Sequence, residues 1–283
     1  MKRWIKRAAT LLFFIGIIVL AFSLYDLPVD DYTVTFVDVG QSDCAIISGR
    51  STNILVDAGG EKDARDVRIA LDRLKVKKLD MAIISHFDSD HISGLSRIIG
   101  DYEIKKVIAP KTEKKYLPKS TGFNMLKSAL KENNLSVTYV SSGDIFSFKG
   151  IKINVLSPET EYGDSNEDSA VVKIKCGEKS VLFTGDITSE VEKNLIRNDI
   201  DLTADILKVS HHGSYSVTSE EFLEAVNPSY SVVSVSKYNN YNLPNVETMK
   251  RLYGYGCEIF RTDEMGSITF KINGKDIEPF VEK

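Results

Sequence analysis

The chain has 283 residues, of which 42% are apolar and 27% charged; this suffices for a packed core in one large domain or two small ones and excludes a weakly hydrophobic, disordered chain. Four of the 36 basic residues and none of the 40 acidic ones fall in residues 1–25, so the remainder carries a net charge of −8, which excludes non-specific wrapping of nucleic acid on a strongly basic surface. Cys44, Cys176 and Cys257 are odd in number and widely spaced, and imply neither a disulfide framework nor a cysteine zinc motif.

In chain order, the first feature is Lys2, Arg3, Lys6 and Arg7, followed by the uncharged, mostly apolar run 8–25. This run is long for the core of a signal peptide and sits at the lower limit for crossing a bilayer. With the basic flank held in the cytoplasm, residues 1–25 are expected to anchor the chain in the cell membrane, with everything beyond them outside the cell. Ala21-Phe22-Ser23 offers the alternative of cleavage, which would release a secreted protein. Residues 26–31 read as a linker and 32–283 as the folded domain.

Short apolar runs at 33–37, 43–48 and 53–57 predict three strands with turn signals between them. Val67, Ala70, Leu71 and Leu74 share one face of a helix over 64–74. A strongly apolar strand over 79–85 and a helix over 91–99 follow. The middle of the chain predicts a strand at 104–109, a helix at 122–133, strands at 136–140, 145–148 and 151–156, and a hairpin of 169–176 with 179–184 across Gly177-Glu178. A second alternating set has helices at 188–198, 218–226 and 246–253 and strands at 205–209, 230–235, 257–260 and 267–273. Two β-rich halves, each with helices, predict an α/β sandwich of two sheets covered by helices on both outer faces.

The four histidines fall in two short segments, SHFDSDH (85–91) and KVSHHGS (208–214), each directly after an apolar strand. Loops at strand ends bring side chains together. His86 and Asp88 alternate, Asp90 and His91 are adjacent at a helix start, and Asp186 follows a glycine at the end of another apolar strand. Imidazole and carboxylate are the ligands that divalent zinc, manganese or iron accept.

SHFDSDHISG resembles the HxHxDH signature of the metallo-β-lactamase superfamily, with Asp88 in place of the middle histidine. ILVDAGG (54–60), FTGD (183–186) and the later histidine match its other motifs in order. FVDVGQSDC (36–44), NEDSAVVKI (166–174), ADILKVSHHGS (204–214) and RTDEMGSITF (261–270) narrow the resemblance to the hydrolase domain of ComEC-type DNA-uptake proteins, over essentially all of 32–273. The resemblance implies an αββα sandwich of mixed sheets that binds one or two divalent cations, Zn2+ or Mn2+, at one edge. It assigns His86 and Asp88 to one cation and Asp90, His91 and His211 to the other, with Asp186 bridging. His211 is preferred to His212 because it directly follows the strand, which leaves His212 a supporting place. Asp57 is expected to brace the loops. Two departures stand out: Asn166, Asp168 and Ser169 occupy the place of a further histidine ligand, and Ser42 and Leu243 replace the usual glycine and histidine. The resemblance does not extend to the channel's multi-span region, so transport is not implied.

Asp38, Gln41 and Asp43 lie in a turn that either lines the site or is an ordinary polar turn. Lys237 and Asn240 belong to a loop, 237–245, that reads equally as a substrate contact or a plain surface turn. Lysines 105, 106, 111, 114, 115 and 119 read as a solvated face rather than a phosphate patch, because Glu103 and Glu113 intervene. The expected activity is hydrolysis of a phosphodiester in a polyanionic substrate by metal-activated hydroxide, with Asp90 and Asp186 at the catalytic centre. The alternative is a non-catalytic, metal-stabilised surface module that binds DNA or wall polymer.

Overall fold

A computed structural model describes residues 31–49, 51–113, 115–159 and 162–283. The expected membrane segment lies outside the described residues, and among those no helix is long and apolar enough to cross a membrane.

Alternation within the strands builds the layers. The first half runs β1 (Asp31–Phe36), β2 (Ala45–Ser48), β3 (Asn53–Val56), α1 (Ala64–Arg73), β4 (Lys78–Leu79), β5 (Met81–Ile83), α2 (Ser89–Ile98), β6 (Glu103–Ile104), β7 (Val107–Pro110), α3 (Thr121–Glu132) and β8 (Val137–Val140). The second half runs β9 (Ile145–Phe148), β10 (Ile151–Ser157), β11 (Val171–Cys176), β12 (Lys179–Phe183), α4 (Ser189–Arg197), β13 (Ile206–Lys208), α5 (Glu220–Val226), β14 (Tyr230–Val233), α6 (Val246–Tyr255) and β15 (Glu258–Arg261). A short helix α7 (Thr262–Met265) then leads to β16 (Ile268–Asn273) and β17 (Asp276–Val281).

One sheet has the order β17-β16-β1-β2-β3-β5-β7-β8 and the other β15-β14-β13-β12-β11-β10-β9. Both are mixed: β3, β5, β7 and β8 run parallel in the first, as do β12 through β15 in the second. Ile47, Ile54, Val56, Met81 and Ile83 of the first sheet share one core with Val172, Phe183, Ile206 and Val232 of the second. Their neighbours Ile46, Leu55 and Ala82 point the other way, onto Val67, Leu71, Ile92, Leu95 and Leu126 of α1, α2 and α3. Likewise Leu182, Leu207 and Val233 meet Val191, Leu195, Phe222, Leu223, Met249 and Leu252 of α4, α5 and α6. Side chains that alternate across a strand thus produce helix, sheet, sheet, helix.

The structure adds elements that the sequence pattern did not predict. The last strand, β17, carries Asp276, Glu278 and Pro279 and forms a sheet edge, where proline and charge are tolerated. The short strands β4 and β6 pair in parallel with each other outside both large sheets. Cys44, expected within a strand, lies just ahead of β2, buried and reduced.

Helix α2 sits unusually close to the loop after β3. Gly94 donates its N–H to Gly59 O at 2.9 Å, and a Cβ at Gly94 would lie 1.8 Å from Ala58 O. Gly94→Ala is therefore expected to destabilise the fold by about 3 kcal/mol, because backbone must shift to admit the methyl group. An unchanged urea midpoint would contradict this packing.

Candidate metal centre

The site forms where the C-terminal ends of parallel strands from both sheets meet. After β3, Asp57 adopts a left-handed conformation (φ 52°), with its N–H on Ile83 O at 2.9 Å. After β5, Ser85 and His86 lead to Asp88, the residue before α2, whose first turn carries Asp90 and His91. Ala170 N–H donates to Ser85 O at 2.7 Å, joining this loop to the entry of β11. After β12, Gly185 turns the chain at φ 54°; a Cβ there would press on Ser85 and Ser169, at 3.0 and 3.1 Å. After β13, His211 and His212 both sit at positive φ, 45° and 52°. Such backbone costs on the order of 1–3 kcal/mol per residue and persists only where surrounding structure enforces it.

These loops converge on a cluster of donors. His91 Nε2 lies 3.6 Å from Asp186 Oδ2 and 3.8 Å from Asp90 Oδ2. His212 Nε2 lies 3.8 Å from both Asp186 Oδ2 and Asp90 Oδ2. The rings of His86 and His91 stand 4.0 Å apart. His86, His91 and Asp186 can place one donor atom each within 4.8 Å of one another, and so can Asp90, His91 and His212.

Orientation comes from the surrounding hydrogen bonds. Asp57 accepts from Ser85 N–H at 2.8 Å and Ser85 Oγ at 2.7 Å, and its Oδ2 lies 3.0 Å from His91 Nδ1. His212 Nδ1 donates to Ser234 O at 2.8 Å. Each arrangement engages one ring nitrogen and aims the other, Nε2, into the cluster. A third group of donors, Asp43, Asp57 and His91, is also compact, but Asp57 and His91 Nδ1 are already bonded to each other. We read that group as bracing.

The Nε2 atoms of His86, His91 and His212, with one oxygen each of Asp186 and Asp43, are buried with no hydrogen-bond partner. Leaving so many polar atoms unpaired is costly unless a cation satisfies them. The residues fit divalent metal in both donor chemistry and placement.

The sequence-selected residues fall into three groups. His86, His91 and Asp186 are buried at the centre, with Asp90 half-exposed beside them. Asp88 is peripheral: its Oδ2 is 3.9 Å from His86 Nε2, its side chain is 40% exposed, and Ser165 donates to its Oδ1 at 2.8 Å. Both members of the histidine pair reach Asp186, and they differ in burial. His211 Nε2 is 3.7 Å from Asp186, but its side chain is 34% exposed, whereas His212 is buried and belongs to a three-donor group. The positive-φ turn sends the second imidazole inward. Ser169 is buried and accepts from Asp186 N–H at 3.3 Å, so it holds the loop and does not replace the missing histidine. Asp168 is likewise occupied, accepting from Tyr162 N–H at 2.6 Å.

Asp43 belongs to the site, while its neighbours point elsewhere. Asp38 Oδ2 lies 3.3 Å from Lys283 Nζ, and Gln41 accepts from Ser236 N–H at 3.2 Å. Lys237 and Asn240 are exposed in their loop. The expected lysine face is spread among other partners, with Lys105 on Asp80 at 2.6 Å and Lys115 on Glu113 at 2.7 Å; Lys114 lies outside the described residues.

The pattern search missed Lys208. It is almost fully buried, and its Nζ contacts Asp43 Oδ2 at 2.7 Å and donates to Val209 O at 3.0 Å. A lone lysine inside the apolar run before the paired histidines was the available signal. Ser85 was missed too, since a serine after a strand reads as a turn residue.

The family comparison agrees with this geometry. A model of the metallo-β-lactamase superfamily matches residues 37–237. The chain belongs to the metallo-β-lactamase superfamily. Among curated members it is 28% identical over 261 residues to ComE operon protein 3 of Bacillus subtilis, covering 86% of this chain and 33% of that protein. It is 29% identical over 262 residues to Recombination protein 2 of Haemophilus influenzae, covering 89% of this chain and 31% of that protein. The chain thus spans about a third of the length of the relatives it matches. Among solved structures it resembles the metallo-β-lactamase fold protein YhfI of Bacillus subtilis, with TM-score 0.58 and 11% identity over 86% of this chain and all of that one. It also resembles CmlA, a diiron β-hydroxylase of Streptomyces venezuelae, with TM-score 0.55 and 17% identity over 87% of this chain and 54% of that one. These structural likenesses confirm the superfamily fold.

Burial and mutual attraction act against each other at the centre of the superfamily site. Burial opposes charge on both His91 and Asp186, yet their attraction holds the imidazole well above its usual pKa and the carboxyl well below its own. Burial, reinforced by His91, pushes the His86 imidazole below its usual value. Metal must then compete with a proton that this His91 imidazole holds more tightly than a free one does. Apparent affinity is expected to rise with pH through the raised titration of His91, with proton release on binding. Calorimetry in buffers of different ionisation enthalpy measures this; pH-independent affinity without proton release would contradict it.

Proposed function

We propose that this chain is a metal-dependent phosphodiesterase whose active centre is built from His86, His91, His212, Asp90 and Asp186. The observation that carries the proposal is the convergence of buried, unpartnered imidazole nitrogens and a carboxylate oxygen beside two half-exposed carboxylates, Asp88 and Asp90. One or two divalent cations, zinc or manganese, would supply Lewis acidity and a water molecule of lowered pKa.

The chain's own residues provide the rest. Asp186 faces His91, His211 and His212 at 3.6 to 3.8 Å, which suits a shared carboxylate at the centre. Asp57 and Ser234 fix the imidazoles of His91 and His212, so little reorganisation is needed as a substrate enters. The buried end of the site is closed by Lys208 and Asp43. The half-exposed Asp88 and Asp90 mark its open side, where a structural site would be sealed by protein ligands. A phosphodiester seated against these carboxylates is repelled until cations neutralise them, which makes turnover at the centre depend on metal.

Competence protein ComA of Neisseria gonorrhoeae, 26% identical over 246 residues, and Recombination protein 2 have names that support a polynucleotide substrate. A β-lactam is disfavoured by Asp88 in the place of the usual signature histidine.

Bis(p-nitrophenyl) phosphate provides the test. Hydrolysis is expected to vanish in chelator and return with zinc or manganese. Asp186→Asn is expected to lower kcat/KM by at least about 100-fold while leaving the circular-dichroism spectrum unchanged. Full activity in that variant, or hydrolysis of a lactam but no phosphodiester, would overturn the proposal.

A further inference from the structure

Tyr238, 87% exposed, and Tyr241, 71% exposed, are the two most exposed large hydrophobic side chains among the described residues. Both lie in the loop that follows β14. Tyr215, also well exposed, follows the turn that carries His211 and His212. Exposed aromatic rings cost hydration free energy, so several of them on two segments tied to a reactive site point to a ligand.

The two segments are joined at the metal centre. The β14 loop begins just past Ser234, whose carbonyl accepts from His212 Nδ1, and Ser236 N–H donates to Gln41 Oε1. It closes where Asn245 N–H donates to Gly213 O at 2.8 Å, with Pro244 packed against Gly213. Between those ends the loop is braced by Asn239. Its Oδ1 accepts from Tyr241 N–H at 3.1 Å and Leu243 N–H at 3.0 Å, and its Nδ2 donates to Ser236 O and Leu243 O. Arg251 binds Tyr215 O at 2.8 Å. Held this way, the backbone presents the rings to solvent at little further ordering cost.

The charge in the loop selects the ligand. Residues 236–245 contain one cation, Lys237, and no acid, in a chain of net charge −4. Lys237 Nζ lies 5.9 Å from the centre of the Tyr238 ring. Flat rings with a cation beside them suit a strand whose bases are free to stack and whose phosphates lie alongside. A duplex keeps its bases stacked internally and offers these rings nothing.

We propose that Tyr238, Tyr241 and Tyr215 form a stacking rim beside the metal centre that binds single-stranded nucleic acid through its bases. This rests on the phosphodiesterase reading for its purpose. Its test does not, because binding is measured in chelator, where hydrolysis plays no part.

The full chain is titrated in EDTA against a fluorescein-labelled deoxythymidylate dodecamer, with anisotropy as the readout. The wild type is expected to bind this strand more tightly than a duplex of equal length. Tyr238→Ala and Tyr241→Ala are each expected to weaken it roughly tenfold, while Tyr238→Phe and Tyr241→Phe keep the affinity. Tyr139→Ala, an exposed ring on β8, is expected to change nothing. With a single loop cation on a single strand, log affinity is expected to fall with log salt at a slope of about −0.7. Unchanged affinity in both alanine variants, equal binding of duplex, or tighter binding of a neutral glucan would each overturn the proposal.

Discussion

The structure turns on one electrostatic constraint: buried imidazole and carboxylate atoms from loops of both sheets meet where no protein group satisfies them. Without a cation, Asp186 is held charged by His91 and His212 against the cost of burial. Among the described residues none lies within hydrogen-bond distance of the open Nε2 atoms of His86, His91 and His212. Two hydrophobic sheets packed face to face supply the rigidity that keeps such a cluster from relaxing.

Rigidity is also why several backbone positions are strained. Asp57, His211 and His212 take left-handed conformations, and Gly185 and Gly94 stand where a Cβ would strike a neighbouring loop. Each of these points lies at or against a segment that carries a ligand candidate. At these points the strained backbone sets side-chain direction, although other left-handed residues, among them Lys75, Asn134 and Asp199, lie away from the site. Lys208 fits the same scheme, since a buried cation beside Asp43 offsets one of the carboxylates crowded into a small volume.

Much of this was legible in the sequence. The order of strands and helices follows from apolar periodicity, and the shared family motifs located His86, Asp90, His91 and Asp186 together. Three things were not legible, each for a physical reason. That His212 as well as His211 reaches Asp186 depends on a positive-φ turn that no pattern of residue types encodes. The roles of Ser85 and Lys208 depend on contacts across 28 and 165 positions of the chain, with Asp57 and Asp43 respectively. β17 was hidden because its charges and Pro279 suit an edge strand and obscure the apolar alternation.

His91 belongs to every compact donor group found among the described residues, so it carries the account more than any other side chain. The most direct measurement is equilibrium dialysis of the full chain and its His91→Ala variant against zinc and against manganese, with bound metal counted per chain. The account predicts one or two equivalents in the wild type and at least a tenfold loss of affinity at every site in the variant. Wild-type stoichiometry and affinity in His91→Ala would contradict it.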